Sequence, residues 1–162
     1  MTIKPVLLSA ENFKNYGEVL TDYGDIPMAD DSVITYFGKI AKIDFSDTVS
    51  TGFLIGHKRK YTTDKLERHI RTPELLVCLK SDSLILAGLP DADGDGVKDV
   101  RAFYIKQGQA VVFHKATWHW TPFPISEESC EFLVVFNDKT ESKDLEIKTL
   151  GENIEIEGIF TV

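Results

Sequence analysis

The sequence predicts an all-β protein, a barrel or double-sheet jelly roll with one short helix near its amino terminus. Two observations lead to this prediction. Short segments rich in β-branched and aromatic residues follow one another along most of the 162-residue chain, and turn-forming residues separate them. Only one stretch carries the capping signals of a helix. Many short strands with a single helix are typical of sandwiches and barrels rather than of α/β folds.

The helix is predicted in SAENFKNYG, residues 9–17. Ser9 can accept a hydrogen bond from the free amides of the first turn. Gly17 can adopt the left-handed conformation that ends a helix.

Seven strands and one further extended segment are predicted after this helix. The strands are VITYFG (33–38), VSTGFLIG (49–56), ELLVCLK (74–80), SLILAGL (83–89), VRAFYI (100–105), QAVVF (109–113) and EFLVVF (131–136). The final stretch, DLEIKTLGENIEIEGIF (144–160), alternates charged and apolar residues and is typical of an edge strand or a dimer arm. No repeat and no change of composition divides the chain, so a single domain is expected over residues 1–162.

The composition excludes several classes of function. Eighteen basic and twenty-six acidic residues give a net charge of −8, which argues against nucleic acid or an anionic membrane as the main partner. No segment is long and apolar enough for a membrane span or a secretory signal. Cys78 and Cys130 each lie in an apolar run, as buried structural thiols do. We therefore expect a cytoplasmic protein.

The stretch DADGDGVKD, residues 91–99, resembles the beginning of a calcium-binding loop. A complete twelve-residue loop ends in a glutamate that binds calcium through both oxygens, but the twelfth residue from Asp91 is Ala102. The stretch also lies between two predicted strands, and Asp and Gly are common in such turns. The sequence therefore predicts a strand connection, and calcium at Asp91–Asp99 is not expected.

Two other segments hold the candidate site: LERHIRTPE (66–74) and GQAVVFHKATWH (108–119). In an extended chain, residues two apart project to one side, so Glu67 and His69 share a face. Glu74 can rejoin that face after the bend at Thr72-Pro73, and His119 arrives from a distant strand. Two imidazoles with one or two carboxylates could bind Ni²⁺, Zn²⁺, Mn²⁺ or Fe²⁺. The alternative is that these histidines and glutamates are partly buried polar residues held by hydrogen bonds, with no bound metal.

These segments resemble the two signature motifs of the cupin superfamily, small double-stranded β-helix barrels. The first motif is H-x-H-x(3,4)-E, and here Glu67 stands for the first histidine, with His69 and Glu74 matching. The second is G-x5-P-x-G-x2-H. Gly108 and His119 match it, whereas His114 and Ala116 replace its proline and glycine.

A narrower resemblance covers nearly the whole chain. The segments that resemble the ureidoglycolate lyase family are LSAENFKNYGEV (8–19), LERH (66–69), VRAF (100–103), GQAVVFHKATWH (108–119) and EFLVVF (131–136). The resemblance implies a homodimeric cupin-like enzyme that releases urea from ureidoglycolate, a step of purine and allantoin breakdown. Two departures bear on the substrate: Trp120 replaces a second histidine, and Asn137-Asp138-Lys139 replaces an Asp-Arg-Gly sequence.

The implied substrate carries a carboxylate, a hydroxyl group and a urea nitrogen around one carbon. Its cleavage needs a base, an acid and a positive group, and Glu67, His69 and His119 are the candidate catalytic residues. Those three and Glu74 are the candidate ligands of one divalent transition metal.

Three further residues are candidates for contact with the substrate. Arg101 and Lys115 could hold its carboxylate; solvated surface charge is the alternative for both. Trp118 could form a pocket wall, which core packing or a dimer surface would explain equally well.

Two other functions keep the same fold. One is a metal-dependent isomerase, epimerase or dioxygenase acting on another small hydroxy acid or sugar. The other is a cupin that binds a small ligand without catalysis, since the fold imposes no reaction.

Overall fold

A computed structural model of the chain describes residues 1–158, which are mostly β-strands. The strands are β1 (Thr2–Ile3), β2 (Val6–Leu7), β3 (Gly17–Val19), β4 (Ala29–Asp30), β5 (Thr35–Tyr36), β6 (Val49–His57), β7 (Thr62–His69), β8 (Glu74–Lys80), β9 (Ser83–Pro90), β10 (Val97–Ile105), β11 (Ala110–Phe113), β12 (Trp118–Pro124), β13 (Ser129–Asn137) and β14 (Leu145–Ile156). Two short helices accompany them, α1 (Ala10–Phe13) and α2 (Thr140–Lys143).

The strands form two large sheets and a separate hairpin. The larger sheet has the order β1-β14-β7-β12-β9-β10-β2, and the smaller has the order β3-β11-β8-β13-β6. β4 and β5 pair only with each other. From β6 to β9, and again from β10 to β14, consecutive strands alternate between the large sheets, whereas β9 and β10 form a hairpin within the larger one. The chain therefore winds a jelly-roll barrel. None of the helices in the described part of the chain is long and apolar enough to cross a bilayer.

Two apolar clusters lie on opposite faces of the larger sheet. The barrel core, between the two sheets, includes Phe13, Tyr16, Cys78, Ile85, Phe103, Phe113, Cys130 and Phe132. The other, called here the outer cluster, includes Leu66, Leu84, Leu86, Tyr104, Trp118, Phe123 and Ile154. Neighbours along β9 divide between them, because successive side chains of a strand point to opposite faces.

Helix α1 begins as predicted, but Gly17 does not end it in the predicted way. Ser9 caps the helix by accepting a hydrogen bond of 3.2 Å from the amide of Asn12. Gly17 is not among the glycines with positive φ and instead begins β3. A Cβ atom at this position would collide with the carbonyl oxygen of Val112 on β11. Close strand pairing, not a left-handed turn, therefore requires the glycine.

Six of the seven predicted strands are observed within three residues of their expected bounds. The exception is the segment 33–38, of which only Thr35–Tyr36 is paired. The final stretch forms β14, which pairs with β7 over most of its length and with β1 only at Glu155 and Ile156. β14 is therefore mainly an edge strand, one of the two alternatives predicted for residues 144–160. Residues 159 and 160 of that stretch lie outside the described residues.

Candidate active site and metal-binding group

Strands β7 and β12 bring the two predicted histidines next to each other. His119 of β12 is paired with Glu67 of β7, and directly opposed residues of antiparallel strands project to one face. His69 lies two residues after Glu67 and shares that face, as the sequence predicted. Phe113 of the barrel core stacks on His119, with ring centroids 4.7 Å apart. The shared face therefore looks into the barrel.

Glu74 reaches the same place from the smaller sheet. It is the first residue of β8, and a connection of residues 70–73 leads to it from His69. The carboxylate of Asp144 accepts hydrogen bonds from three consecutive backbone amides, those of residues 70–72, at N···O distances of 3.1, 2.8 and 3.0 Å. This connection is thus held in one shape, which sets the spacing of the two side chains.

The three buried side chains converge on a common point. Nδ1 of His69 lies 3.1 Å from Oε2 of Glu74, and Nε2 of His119 lies 3.3 Å from the same oxygen. Neither contact has the direction of a hydrogen bond, and both nitrogens lack a hydrogen-bond partner among residues 1–158. One ligand atom of each residue lies within 4.8 Å of the other two. This donor set fits a divalent cation.

The ring of His119 is oriented for such binding. Its Nδ1 atom lies 2.9 Å from the carbonyl oxygen of Thr117. Because a carbonyl oxygen can only accept, Nδ1 carries a hydrogen, and in the neutral ring Nε2 keeps a free electron pair. A backbone hydrogen bond of this kind fixes the tautomer and orientation of a metal-binding histidine.

The negative charge of Glu74 and the positive charge of protonated His119 stabilise each other. Burial opposes ionisation of Glu74, but attraction to His119 and His69 outweighs burial and lowers the pKa of Glu74 to about 2. Burial also opposes the charged form of His119, yet the charges of Glu74 and Glu67 raise the pKa of this imidazole to about 9. Without a cation, His119 therefore carries the proton that balances Glu74. A divalent cation would replace this proton.

Glu67 lies beside the group but is less enclosed. Its Oε1 atom is 3.9 Å from Nε2 of His119, and its side chain is 24% exposed. Burial raises the pKa of Glu67 above the ordinary value of a carboxyl group. It is therefore placed to exchange protons with a bound molecule, or to serve as a fourth ligand.

A cavity of about 290 Å³ lies over these residues. Its apolar lining is formed by Phe53, Leu54, Val134, Phe136 and Leu145. Its polar lining is formed by Glu67, His69, Glu74 and Glu141. No lysine or arginine is among the described residues that line it. An anionic molecule could therefore bind here only if a cation offset the carboxylates.

The structure does not bring the three predicted substrate contacts to this cavity. Arg101 is half exposed and lies 3.1 Å from Asp99, and Lys115 lies 3.5 Å from Asp44. Trp118 belongs to the outer cluster, because it precedes His119 and so points to the opposite face of β12. The role of all three in substrate binding stays a prediction without a supporting contact.

Two residues that depart from the motifs, Trp120 and Ala116, are not among the described residues that line the cavity. Trp120 also points away from it and packs against the outer cluster. Ala116, in place of the motif's glycine, adopts the left-handed conformation with φ of 67°, and its amide donates a hydrogen bond of 2.6 Å to the carbonyl oxygen of His69. The backbone turn is thus retained despite the alanine.

Sequence reasoning identified only the lining residues Glu67, His69 and Glu74; Phe136 and Glu141 are among those it missed. Phe136 lies on a predicted strand, and alternation along that strand indicates that it faces inward with Phe132 and Val134. Glu141 lies on the four-residue helix α2, which has no distinctive sequence signal.

The acidic loop forms the predicted connection, here between β9 and β10. The carboxylate of Asp91 accepts a hydrogen bond of 2.9 Å from the amide of Gly96, and backbone amides hold the pKa of Asp91 below its usual value. Arg68 donates to the carbonyl oxygen of Gly94, and the indole of Trp118 donates to that of Gly96. Within residues 1–158, its carboxylates form no cluster with the spacing of metal ligands.

Comparison with known proteins gives a family and a fold. A family model described as ureidoglycolate lyase matches residues 1–157. No curated protein gives a significant sequence match.

Superposition on one solved structure supports the fold, and two others match a smaller share of the chain. A dTDP sugar isomerase from Desulfovibrio desulfuricans G20 superposes with a TM-score of 0.53 at 8% identity, over 78% of this chain and 74% of that chain. RmlC from Streptococcus suis gives a TM-score of 0.43 at 8% identity, over 56% of this chain and 44% of that chain. Oxalate decarboxylase from Bacillus subtilis gives a TM-score of 0.44 at 19% identity, over 65% of this chain and 24% of that chain. This chain therefore spans less than half the length of RmlC and of oxalate decarboxylase. The predicted cupin-type jelly roll is confirmed.

Proposed function

Because the chain belongs to the ureidoglycolate lyase family, we propose that it releases urea from ureidoglycolate and leaves glyoxylate. The family match over residues 1–157 is the observation that carries this proposal. The cavity supports it, since a largely apolar hollow with a few converging polar groups is the usual form of a small-molecule site.

The reaction needs one proton to move. The bond between the central carbon and the urea nitrogen breaks, the hydroxyl oxygen becomes the carbonyl oxygen of glyoxylate, and its proton passes to the departing nitrogen. Neither an oxidant nor a water molecule is consumed. A single carboxylate beside both atoms can therefore accept the proton and return it.

Glu67 is the best placed residue for this transfer. It lines the cavity, and its raised pKa lies closer to neutrality than that of an ordinary carboxyl group. Glu74 is less suitable, because its pKa is lowered to about 2. A well-placed general base contributes roughly 10²–10⁴-fold to the rate.

His69, Glu74 and His119 would hold one divalent cation, with Glu67 available as a further ligand. Bound there, the cation would bind the carboxylate and hydroxyl group of the substrate and make the hydroxyl more acidic. The lack of lysine and arginine among the described lining residues supports this assignment, since the substrate is an anion. Nickel, zinc, manganese and iron(II) accept mixed nitrogen and oxygen ligands, whereas calcium prefers oxygen alone.

The test is glyoxylate formation by protein stripped with a chelator and reloaded with each of the four metals. We expect activity with at least one metal, and loss of both metal and activity in H69A and H119A. H114A is the matched control, because His114 lies outside the cavity. Absence of glyoxylate with all four metals would refute the proposed reaction.

The other metal-dependent reactions gain no specific support. Two departures from the family bear on the substrate, and neither Trp120, which packs against the outer cluster, nor Asn137-Asp138-Lys139 is among the described residues that line the cavity. An isomerase, epimerase or dioxygenase activity is therefore not favoured.

We also propose that two copies of the chain associate through residues 20–48, the segment that joins β3 to β6. Large apolar side chains exposed on it are Tyr23, Ile26, Met28, Val33, Ile34, Tyr36 and Ile40. Ile26 and Val33 are 88% and 86% exposed. Together these side chains expose on the order of 800 Å², similar to what each partner buries in a standard interface. Exposed apolar surface on this scale is typical of a segment that contacts a partner.

Light scattering coupled to size-exclusion chromatography tests this association. The double variant I26D/V33D should elute as a monomer where the wild type elutes as a dimer. I147D is the control, because Ile147 is also exposed but lies on β14. A monomeric wild type at tens of micromolar would refute the proposal.

We also propose that the protein is cytoplasmic, because two free buried thiols, Cys78 and Cys130, suit a reducing compartment.

A further inference from the structure

We infer that Glu141 is a specificity-determining residue that binds the urea end of the substrate. This inference rests on the proposed function and assigns a part of the cavity that the reaction itself does not use. It follows from the position of Glu141, from the chemistry of the urea group and from the way α2 is anchored.

Glu141 is the uncommitted acceptor of the cavity. Of the three carboxylates in the lining, Glu67 and Glu74 both lie within 4 Å of Nε2 of His119. The side chain of Glu141 has no hydrogen bond or ion pair with any other described residue, is exposed to solvent, and lines the cavity together with Phe53 and Leu145. It is therefore free to accept hydrogen bonds from a ligand.

A urea group presents the complementary donors. One N–H of its terminal nitrogen and the N–H of its substituted nitrogen point in the same direction, so both can bind the two oxygens of one carboxylate. Charge-assisted, two-point hydrogen bonding of this kind is strong and geometrically selective. The metal-binding group would hold the hydroxyl and carboxylate of the same substrate, which leaves the urea group to extend along the cavity.

Helix α2 holds Glu141 in place although it has only four residues. At its start, the buried hydroxyl of Thr140 donates a hydrogen bond of 2.6 Å to the carbonyl oxygen of Asn137. At its end, Asp144 binds the amides of residues 70–72. The helix is thus tied to the connection between His69 and Glu74, which fixes the backbone position from which the Glu141 side chain reaches the cavity.

The test compares steady-state kinetics of E141Q with those of the wild type, with glycolate as a competitive probe. Glycolate has the hydroxyl and carboxylate of the substrate but no urea group. We expect E141Q to raise KM for ureidoglycolate roughly tenfold or more, as loss of a hydrogen bond to a charged group does. The inhibition constant of glycolate should stay within about twofold, because this probe does not reach Glu141. E11Q is the matched control, with the same substitution on α1.

Simple electrostatics predicts the opposite result. If Glu141 only repelled the substrate anion, its neutralisation would lower both KM and the inhibition constant of glycolate. Unchanged or lowered KM in an active enzyme would overturn this inference alone. An equal rise of KM and of the glycolate inhibition constant would overturn the inference as well, because Glu141 would then not recognise the urea group. A wild type that forms no glyoxylate with any of the four metals would overturn the proposed function, and this inference with it.

Discussion

Replacing Asp144 with alanine should weaken both the fold and metal binding, although this residue does not line the cavity. Its carboxylate accepts hydrogen bonds from three consecutive amides, those of residues 70–72. The first two amides are exposed and can bind water in the variant, whereas the Thr72 amide is partly buried. With about 1 kcal/mol for each bond, D144A should lose roughly 2–3 kcal/mol of unfolding free energy.

This loss corresponds to a fall in Tm of roughly 5–10 °C, because 1 kcal/mol shifts Tm by about 2–4 °C in a chain of this size. The same change frees the connection between His69 and Glu74, so the two ligands are no longer held at a fixed spacing. Loss of residues that orient metal ligands typically costs about 10–100-fold in affinity. We expect a loss in this range for D144A and a smaller one for D144N, which keeps one acceptor oxygen.

Thermal unfolding followed by circular dichroism and calorimetric titration of chelator-stripped protein with Zn²⁺ or Ni²⁺ would measure the two effects. D138A is the control. Asp138, like Asp144, lies in the connection between β13 and β14, but it precedes α2 and its side chain accepts no hydrogen bond from a described residue. A D144A variant with the Tm of the wild type would show that the three bonds contribute nothing. A lowered Tm with unchanged metal affinity would refute the argument that this connection positions the ligands.

Three further predictions concern the fold, and all are measured by denaturant or thermal unfolding. G17A should lose roughly 1–3 kcal/mol, because its Cβ would meet the carbonyl oxygen of Val112; wild-type stability would contradict the close packing. A116G should gain roughly 0.5–1 kcal/mol, since glycine tolerates the positive φ at this position; a loss would contradict the strain. Asp82 has a pKa lowered by a hydrogen bond from Tyr104, so its stabilisation is present above about pH 4 and lost as pH falls further. The difference in stability between wild type and D82N should therefore shrink from pH 6 to pH 3, and a constant difference would exclude this linkage.

The sequence predicted best those strands composed mainly of apolar residues, such as β8, β9 and β13. Strand β7, TTDKLERH, was not among the predicted strands, because it carries charged residues on both faces. Arg68 is buried there through pairing with Glu146, at 2.7 Å, and hydrophobic pattern alone cannot show such pairing. Val33 was assigned to a strand for its β-branched side chain but is almost fully exposed.

The candidate site could be predicted where it depends on alternation along a strand or on the short bend at Thr72-Pro73, and not where it depends on the anchoring of α2. Glu67 and His69 were placed on one face by their spacing, and the structure places them together. The same rule, applied to Trp118 and His119, would have separated the tryptophan from the cavity. Glu141 gave no signal, because its position depends on how α2 is anchored by distant hydrogen bonds.

The division of β7 and β12 between two faces limits how these strands can change in length. Glu67, His69 and His119 point into the barrel, whereas Arg68 and Trp118 point to the outer cluster and the acidic loop. Insertion or deletion of one residue within either strand would exchange the two sets beyond that point, turning metal ligands outward and burying a guanidinium among carboxylates. Changes in length are therefore expected to be tolerated in connections remote from the site and from the proposed interface, and not in the strands that carry the site.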